Sequence, residues 1–247
     1  MKLIETFKSP NFNERVGNQQ LSYLILHYTA MESCQEALEH ICDKKNKVSA
    51  HFLVSKNGDI FYLVDINKRA WHAGESYWKG LKDLNSSSIG IEIDNSGHHV
   101  LNEDYSHLQI ESLCELIKKL SAYYNILAKN ILGHSDIAPF RKIDPGEKFP
   151  WQKLNQKKLS YFPKIYTKNI EHQSNKTEAN YEYIDNQYAL SMLGSIGYDI
   201  RNVSINNNKF KLLIEAYQRH YRQSNITGEI DRETIIIIKQ HYKDMLT

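Results

Sequence analysis

The segment GHSDIAPFRKID at positions 133–144 places a histidine, two aspartates, an arginine and a lysine close together. Its glycine and proline, with the Pro-Gly pair that follows, exclude a long helix or a central strand, so a structured loop is predicted. Proline favours an extended conformation for the residue before it, and alternate side chains of an extended chain point the same way. Lys142 and Asp144 are therefore expected on one side of the loop, an arrangement that suits an active site.

Two further residues could join Asp144 in a metal site. His27 ends the apolar run YLILH, and His134 lies in the loop segment. A catalytic zinc takes about three protein ligands from His, Asp, Glu or Cys and keeps one position open, so these three residues could supply the set. Each also has an alternative: a histidine at a strand end is often only a polar cap, and an aspartate before Pro-Gly is often a turn residue.

The elements that must position these residues mix strands and helices. The apolar run that ends in His27 is typical of a buried strand. In IGIEID the three isoleucines take one face of a strand, and Glu92 faces away from that apolar layer. Asn57-Gly58, within an alternating stretch, is a hairpin signal, and apolar spacing predicts a long helix over residues 104–124. We therefore predict an α/β fold class.

Composition limits the function classes. With 41% hydrophobic residues, 24% charged residues and a formal net charge of +2, the chain is an ordinary globular protein without the charge that indicates a nucleic-acid partner. Three cysteines outside any CxxC pattern are interpreted as reduced or inert thiols. No apolar signal region and no stretch of the ~20 apolar residues of a membrane span are visible. The sequence therefore predicts a soluble chain.

Five segments resemble one family in their order and spacing. They are LILHYTA, SAHFLVSKNGDIFYLVD, AWHAGES, SIGIEIDN and GHSDIAPFRKIDPGEKFPW, within about residues 20–155. They closely resemble the zinc-dependent N-acetylmuramoyl-L-alanine amidases of the AmpD/AmiD type. The resemblance implies a central mixed β-sheet flanked by helices. It also implies hydrolysis of the amide between N-acetylmuramic acid, or its 1,6-anhydro form, and L-alanine of the peptidoglycan stem peptide, in cell-wall turnover or recycling.

The resemblance also implies roles for individual residues. It makes His27, His134 and Asp144 the ligands of one zinc ion per chain; the similar phage-lysozyme and recognition-protein branch typically has cysteine at the third position. Glu92 is implied as the general base, which takes a proton from water and delivers it to the leaving amine. Lys142 is implied to stabilise the oxyanion. Without the resemblance, a solvated strand carboxylate and a surface cation would be the favoured interpretations of these two residues.

Other polar positions carry different expectations. The resemblance places Trp71 and His72 in the cleft wall, where an aromatic face packs on sugar or peptide. His51 is expected to hydrogen-bond within the core near the metal. Asp136 is expected to organise the loop through hydrogen bonds, and a role as metal ligand stays open. The histidine pair at 98–99 is expected to be solvated in a loop.

Polarity changes after the family-like segments. Residues 155–180 are polar and lysine-rich, as in a linker, and three short helical patterns follow. These patterns resemble a three-helix peptidoglycan-binding module, although Asn206-Asn207-Asn208 replaces the usual turn; the alternative is a plain helical bundle that supports the catalytic domain. The predicted divisions are a zinc amidase catalytic domain at 1–154, a linker at 155–180 and a helical peptidoglycan-binding-like domain at 181–247.

The expected partner is a peptidoglycan or muropeptide substrate, with no nucleic acid and no membrane span. The absence of a visible signal favours the cytoplasm, where AmpD-like enzymes recycle soluble anhydro-muropeptides. A wall-binding module instead favours the periplasm or cell envelope, as for AmiD-like enzymes. Two rival functions stay open: an inactive peptidoglycan-recognition protein on the same fold, and a structural or interaction protein whose histidines and aspartates only satisfy loops.

Overall fold

The structure is a computed structural model that describes residues 3–17, 20–98, 100–164 and 185–246. Most of the segment predicted as a linker lies outside these ranges, and so does His99. The division of the chain into two domains and a linker therefore stays a prediction.

The fold is built on a mixed β-sheet. The strands are β1 (Leu3–Ile4), β2 (Phe12–Glu14), β3 (Tyr23–Tyr28), β4 (Phe52–Val54), β5 (Ile60–Tyr62), β6 (Lys68–Ala70), β7 (Ser88–Ile93) and β8 (Ile131–Gly133). Six of them form one sheet in the order β1-β5-β4-β7-β3-β8. All neighbours in it are parallel except β4 and β5, which form the hairpin predicted at Asn57-Gly58. β2 and β6 form a separate antiparallel pair.

Helices flank this sheet. They are α1 (Cys34–Cys42), α2 (Leu84–Ser87), α3 (His107–Tyr124), α4 (His134–Ile137), α5 (Trp151–Gln156), α6 (Asn186–Ile196), α7 (Asn208–Tyr221) and α8 (Arg232–Leu246). The predicted long helix is α3, which begins where the Ser106 hydroxyl accepts a hydrogen bond from the backbone N–H of Gln109. The three helical patterns near the C-terminus are confirmed as α6, α7 and α8. None of the helices in the described ranges is long and apolar enough to cross a membrane.

One face of the sheet packs against α3 and α5. Leu24 and Ile91 point to this face from neighbouring strands, and α3 covers them with Leu113 and Ile117. Trp151 of α5 belongs to the same buried cluster. The apolar residues of α3 thus recur at helical spacing and form one stripe, which packs against this face of the sheet.

The other face packs against the C-terminal helices. Ile25 and Leu132 of the sheet share a buried cluster with Leu193 of α6, Ile214 of α7 and Ile238 of α8. Each of these five side chains is at most 1% exposed. The helical region and the sheet therefore have one continuous core, and a parallel sheet is stable when both of its faces are covered in this way.

Replacing Leu193 by alanine should lower the free energy of unfolding by about 2–5 kcal/mol, because a buried leucine leaves a cavity when it is truncated. Leu127→Ala is the matched control, since Leu127 is 57% exposed, and a change within about 0.5 kcal/mol is expected there. Urea unfolding followed by circular dichroism and tryptophan fluorescence measures both. A separate early transition of the helices in Leu193→Ala, with the sheet unaffected, would contradict a continuous core.

Candidate metal centre

Three side-chain atoms from distant parts of the chain meet in a buried site. Nδ1 of His27 lies 2.9 Å from Nδ1 of His134, and Oδ2 of Asp144 lies 3.1 Å from each of these nitrogens. The three residues are buried, and together they could hold a metal ion. The structure thus brings together the three residues that were predicted as metal ligands.

The central strands bring these residues to one edge of the sheet. β3 and β7 are parallel, and their register pairs His27 with Glu92. β3 also pairs with β8 through Leu26 and Gly133, so His134 follows directly at the same edge. Because alternate residues of a strand share a face, His27 lies one pleat beyond Ile25, which is buried under the C-terminal helices.

A chain of hydrogen bonds behind His27 determines which of its nitrogens carries the proton. The hydroxyl of Ser88 donates to the carbonyl oxygen of Leu84, so Ser88 Oγ accepts from Nε2 of His72 at 3.3 Å. Nδ1 of His72 then accepts the proton of His27 Nε2 at 3.1 Å. The lone pair on His27 Nδ1 is left free to bind a cation.

His72 reaches this position because β7 has no side chain at Gly90. A Cβ atom at Gly90 would lie 2.3 Å from Cγ of His72. The backbone fixes the position of a Cβ atom, so any other residue at position 90 would clash with the His72 ring where it now lies. The backbone N–H of Gly90 donates to Nδ1 of His51, which is fully buried. His51 thus hydrogen-bonds within the core, as expected, and burial, followed by the charge of Arg15, lowers the pKa of His51 to about 3.

A second set of contacts orients His134. Its Nε2 donates to the carbonyl oxygen of Ala73 at 3.0 Å, which leaves Nδ1 free to bind a cation. The guanidinium of Arg141 donates to the same oxygen and to the carbonyl oxygen of Glu75, both at 2.8 Å. Arg141 had no predicted role, and its place in the loop segment was its only signal in the sequence.

The electrostatics of the site fit a cation. Burial, followed by the neighbouring His134, lowers the pKa of His27 to about 4, so the ring is neutral at pH 7. Burial opposes ionisation of Asp144, but His134 and His27 outweigh it and hold the pKa of this carboxyl well below its usual range. Two nitrogen lone pairs and a carboxylate this close repel one another unless a cation lies between them. Two imidazoles and one carboxylate suit zinc better than magnesium or calcium.

A cavity of about 220 Å³ opens onto the three ligands, and both predicted catalytic residues, Glu92 and Lys142, line it. Oε2 of Glu92 is buried without a hydrogen-bond partner among the described residues. Burial, followed by the charge of Asp144, raises the pKa of Glu92 well above its usual value, and Lys142 acts in the opposite direction. A carboxyl group with a raised pKa beside an open cavity has the properties of a general base.

The two residues predicted as cleft wall lie at different depths. Trp71 is half-buried at the wall, and its indole N–H donates to Oδ1 of Asn13 at 2.8 Å. His72 also borders the cavity but is only 8% exposed and lies beneath His27. The position of Trp71 therefore suits a wall of the substrate cleft, whereas His72 orients the candidate metal ligand His27.

His98 is not the solvated histidine that its loop position suggested. Its Nε2 lies 2.8 Å from Oε2 of Glu147, and its Nδ1 lies 3.2 Å from the hydroxyl of Tyr28, which borders the cavity. The hydrogen bond from His98, the largest of several effects, lowers the pKa of Glu147 to about 2. The loop after β7 is thereby joined to the segment that follows Asp144.

Comparisons with known proteins identify relatives of the chain. The model of the N-acetylmuramoyl-L-alanine amidase family (Amidase_2) matches residues 17–147. The N-acetylmuramoyl-L-alanine amidase AmiD of Escherichia coli (strain K12) is 35% identical over 227 residues, covering 87% of this chain and 80% of AmiD. The 1,6-anhydro-N-acetylmuramyl-L-alanine amidase AmpD of Haemophilus influenzae is 34% identical over 163 residues, covering 59% of this chain and 87% of AmpD.

Solved structures share the fold over nearly the whole chain. E. coli AmiD, in complex with the substrate anhydro-N-acetylmuramic acid-L-Ala-D-γ-Glu-L-Lys, has a TM-score of 0.79 at 32% identity, covering 94% of this chain and 92% of AmiD. AmpDh3 from Pseudomonas aeruginosa has a TM-score of 0.81 at 28% identity, covering 99% of this chain and 100% of AmpDh3. The predicted fold class, a mixed sheet flanked by helices, is confirmed.

Asp144→Ala should lower the zinc content of the purified protein, because the site loses its only anionic ligand. Inductively coupled plasma mass spectrometry after dialysis measures this content, and about one zinc per chain is expected for the wild type. Asp59→Ala, which removes an exposed carboxylate at the β4–β5 turn, is the control. Undiminished zinc in Asp144→Ala would show that the third ligand has been assigned to the wrong residue.

Proposed function

The chain belongs to the N-acetylmuramoyl-L-alanine amidase family, and we propose that its amide hydrolysis takes place at His27, His134 and Asp144 with one zinc ion per chain. The predicted enzyme class is confirmed: the scissile amide joins N-acetylmuramic acid to L-alanine of the stem peptide. One observation carries the site assignment. The three candidate ligand atoms meet within 3.1 Å at a cavity that Glu92 and Lys142 also line.

Zinc bound by these ligands would polarise a water molecule and the amide carbonyl, chemistry that side chains alone supply poorly at neutral pH. The chain's own contribution is to present the ligands ready for binding. His72 accepts the Nε2 proton of His27, and the carbonyl oxygen of Ala73 accepts the Nε2 proton of His134. Both imidazoles therefore keep their Nδ1 lone pairs free, and these nitrogens would hold the ion together with Asp144.

Glu92 acts as the general base. Its buried Oε2, which has no partner among the described residues, is free to accept a proton from the attacking water. The raised pKa of Glu92 increases its affinity for the proton that it takes from water, and the same carboxyl group can later return that proton. As the C–N bond breaks, the same carboxyl delivers this proton to the leaving nitrogen of L-alanine. The products are the muramic acid sugar and a stem peptide with a free amino terminus.

Lys142 stabilises the negative charge that develops on the carbonyl oxygen when water adds to the amide. Lys142 lines the same cavity as Glu92 and Asp144, and a positive charge in a partly enclosed site stabilises an oxyanion more than it would in water. Lys142 has a second effect, because its charge lowers the pKa of Glu92 against the effect of burial.

The substrate class we propose is a muropeptide derived from peptidoglycan. In support, the AmiD structure holds an anhydro-N-acetylmuramic acid tripeptide, and an AmpDh3 structure holds an anhydromuramic pentapeptide. Trp71 offers an aromatic face at the cavity wall against which a sugar or peptide can pack. Binding of the cell wall by residues 181–247 stays a prediction.

An inactive recognition protein on the same fold is the alternative function. Such a protein requires no base, and a carboxyl group with a buried, unpartnered oxygen is costly to keep without a use. The presence of Glu92 and Lys142 beside the candidate ligands therefore favours hydrolysis.

The test is mass spectrometry of the products released from purified sacculi and from anhydro-muropeptides, with and without a zinc chelator. Stem peptides that begin with L-alanine, lost on chelation, are expected from the wild type. Glu92→Gln should keep its zinc and lose turnover by about 10²–10⁴-fold, because the base is missing while the ligands remain. No release of peptide by the wild type would favour the recognition protein, and undiminished turnover in Glu92→Gln would overturn the assignment of the base.

Lys142→Ala should lower kcat/KM by about 10²–10³-fold. It should also shift the acid limb of the pH profile of kcat/KM to higher pH. The base is active when deprotonated, and removing Lys142 removes a charge that lowers the pKa of Glu92; protonation, and the loss of activity, then begin at higher pH. Lys142→Arg keeps the charge and should keep the limb near its wild-type position. Lys119→Ala, exposed on α3, is the control. An unshifted limb in Lys142→Ala would contradict this coupling.

A further inference from the structure

Asp136 is a buried carboxylate two residues after the candidate ligand His134. Its Oδ1 accepts a hydrogen bond from the hydroxyl of Tyr198 at 2.6 Å, and its Oδ2 accepts one from Nδ1 of His220 at 2.7 Å. Asp136 is 0% exposed. Both side-chain donors come from the C-terminal helical region, more than 60 positions away in the chain. A carboxylate in this environment requires such donors, because an unpaired buried charge is very costly.

Asp136 is hydrogen-bonded to the turn that carries His134, and the same turn is hydrogen-bonded to the main chain of Asp144. Oδ2 of Asp136 also accepts from the backbone N–H of Gly133 at 2.7 Å, immediately before His134. The backbone N–H of Ser135 donates to the carbonyl oxygen of Asp144 at 2.9 Å. A displacement of the Asp136 carboxylate would therefore move the main chain on both sides of His134 and, through Ser135, the main chain of Asp144.

His220 is held in place by stacking. Its ring lies between Trp151 of α5, with centroids 3.7 Å apart, and Tyr221, with centroids 3.9 Å apart. Among the residues that the structure describes, Nε2 of His220 has no hydrogen-bond partner. The ring's one polar contact in this part of the chain is therefore with Asp136.

Tyr198 is equally restrained. Its ring packs edge-on against Trp78, with centroids 4.9 Å apart, and against Tyr217, with centroids 5.8 Å apart. Tyr198 is 1% exposed. Two rigid donors thus determine the position of the Asp136 carboxylate from the side of the C-terminal helices.

A separate contact joins the same region to the other end of the loop. Nε2 of Gln223, just after α7, donates to the carbonyl oxygens of Glu147 and Phe149. These carbonyls follow Asp144 in the chain. The helical region therefore holds the ligand-bearing segment on both sides, through contacts that do not depend on each other.

We propose that Tyr198 and His220 are positioning residues of the metal centre: through Asp136 they hold His134 and Asp144 in the geometry that binds zinc. The C-terminal helices thus contribute to the metal site, whatever they bind themselves. This inference rests on the proposed function, since it requires the metal centre described above.

The test is the zinc dissociation constant of the full-length protein, measured by competition with a chelating dye, in variants that remove single donors. Tyr198→Phe removes only the hydroxyl, and His220→Phe removes the donor while keeping an aromatic ring in the stack. Both should weaken zinc binding by about 10- to 100-fold, the usual effect of losing a contact behind a metal ligand. In the cobalt-substituted proteins, the visible spectrum should change with the altered ligand geometry.

Matched controls separate positioning from general stability. Thr234→Val breaks a buried hydrogen bond of 3.1 Å that Nε2 of Gln218 donates within the same region, and Tyr217→Phe removes a buried hydroxyl while keeping the ring that packs on Tyr198. They should lower the melting temperature while zinc affinity stays near that of the wild type. His220→Asn loses the stacking but keeps a donor near the Nδ1 position, so it should restore zinc affinity relative to His220→Phe.

Each outcome decides a different claim. Wild-type zinc affinity in both Tyr198→Phe and His220→Phe would overturn the positioning role while leaving the proposed function intact. An equal loss of affinity in the controls, in parallel with melting temperature, would also overturn it in favour of general stability. Failure of the wild type itself to bind zinc would refute the metal centre of the proposed function, and the positioning role with it.

Discussion

Two imidazole lone pairs and a carboxylate that face one another inside the protein are the constraint on which the rest of the site depends. Without a cation they repel, so surrounding contacts must hold each group in place. His72 accepts a hydrogen bond from His27, and the carbonyl oxygen of Ala73 accepts one from His134. The backbone N–H of Ser135 donates to the carbonyl oxygen of Asp144. These contacts also place the N–H of each imidazole on the nitrogen that points away from the metal position, which leaves the Nδ1 lone pairs of His27 and His134 facing it.

The sheet meets this constraint by dividing one face between two environments. Ile25 of β3 is buried under the C-terminal helices, and His27, one pleat further along the strand, borders the cavity. Gly90 and Glu92 repeat this step on the neighbouring strand, where the glycine makes room for His72 and the glutamate reaches the cavity. The C-terminal helices thus cover the apolar part of this face, and the part that carries His27 and Glu92 borders the cavity.

Much of the fold and of the ligand set could be predicted because the signals are local. Apolar spacing placed the long helix at 104–124, and it is observed at His107–Tyr124. The strand alternation of IGIEID directed Glu92 off the apolar layer, and residue types at His27, His134 and Asp144 suggested a metal set before any distance was known. In these cases the pattern and the structural element occupy the same stretch of chain.

The contacts behind the ligands could not be predicted in this way, because they join residues far apart in the chain. His72 was expected in the cleft wall, and nothing in AWHAG indicates that its ring pairs with a histidine 45 positions earlier. His98 follows a glycine, which suggests a solvated loop, but its partner Glu147 lies 49 positions away. A single sequence records the type of a side chain, whereas its role depends on which distant group lies opposite.

Asp136 and Asp144 illustrate this point within one loop. Both are buried carboxylates in the same segment, and both were open as metal ligands from the sequence. Asp144 faces two imidazole nitrogens whose own protons point elsewhere, so it completes a set that attracts a cation. Asp136 faces a hydroxyl, an imidazole N–H and a backbone N–H, so three hydrogen-bond donors already stabilise its charge. The partners decide the role: the same functional group is a candidate ligand at one position and an anchor for the fold at the other.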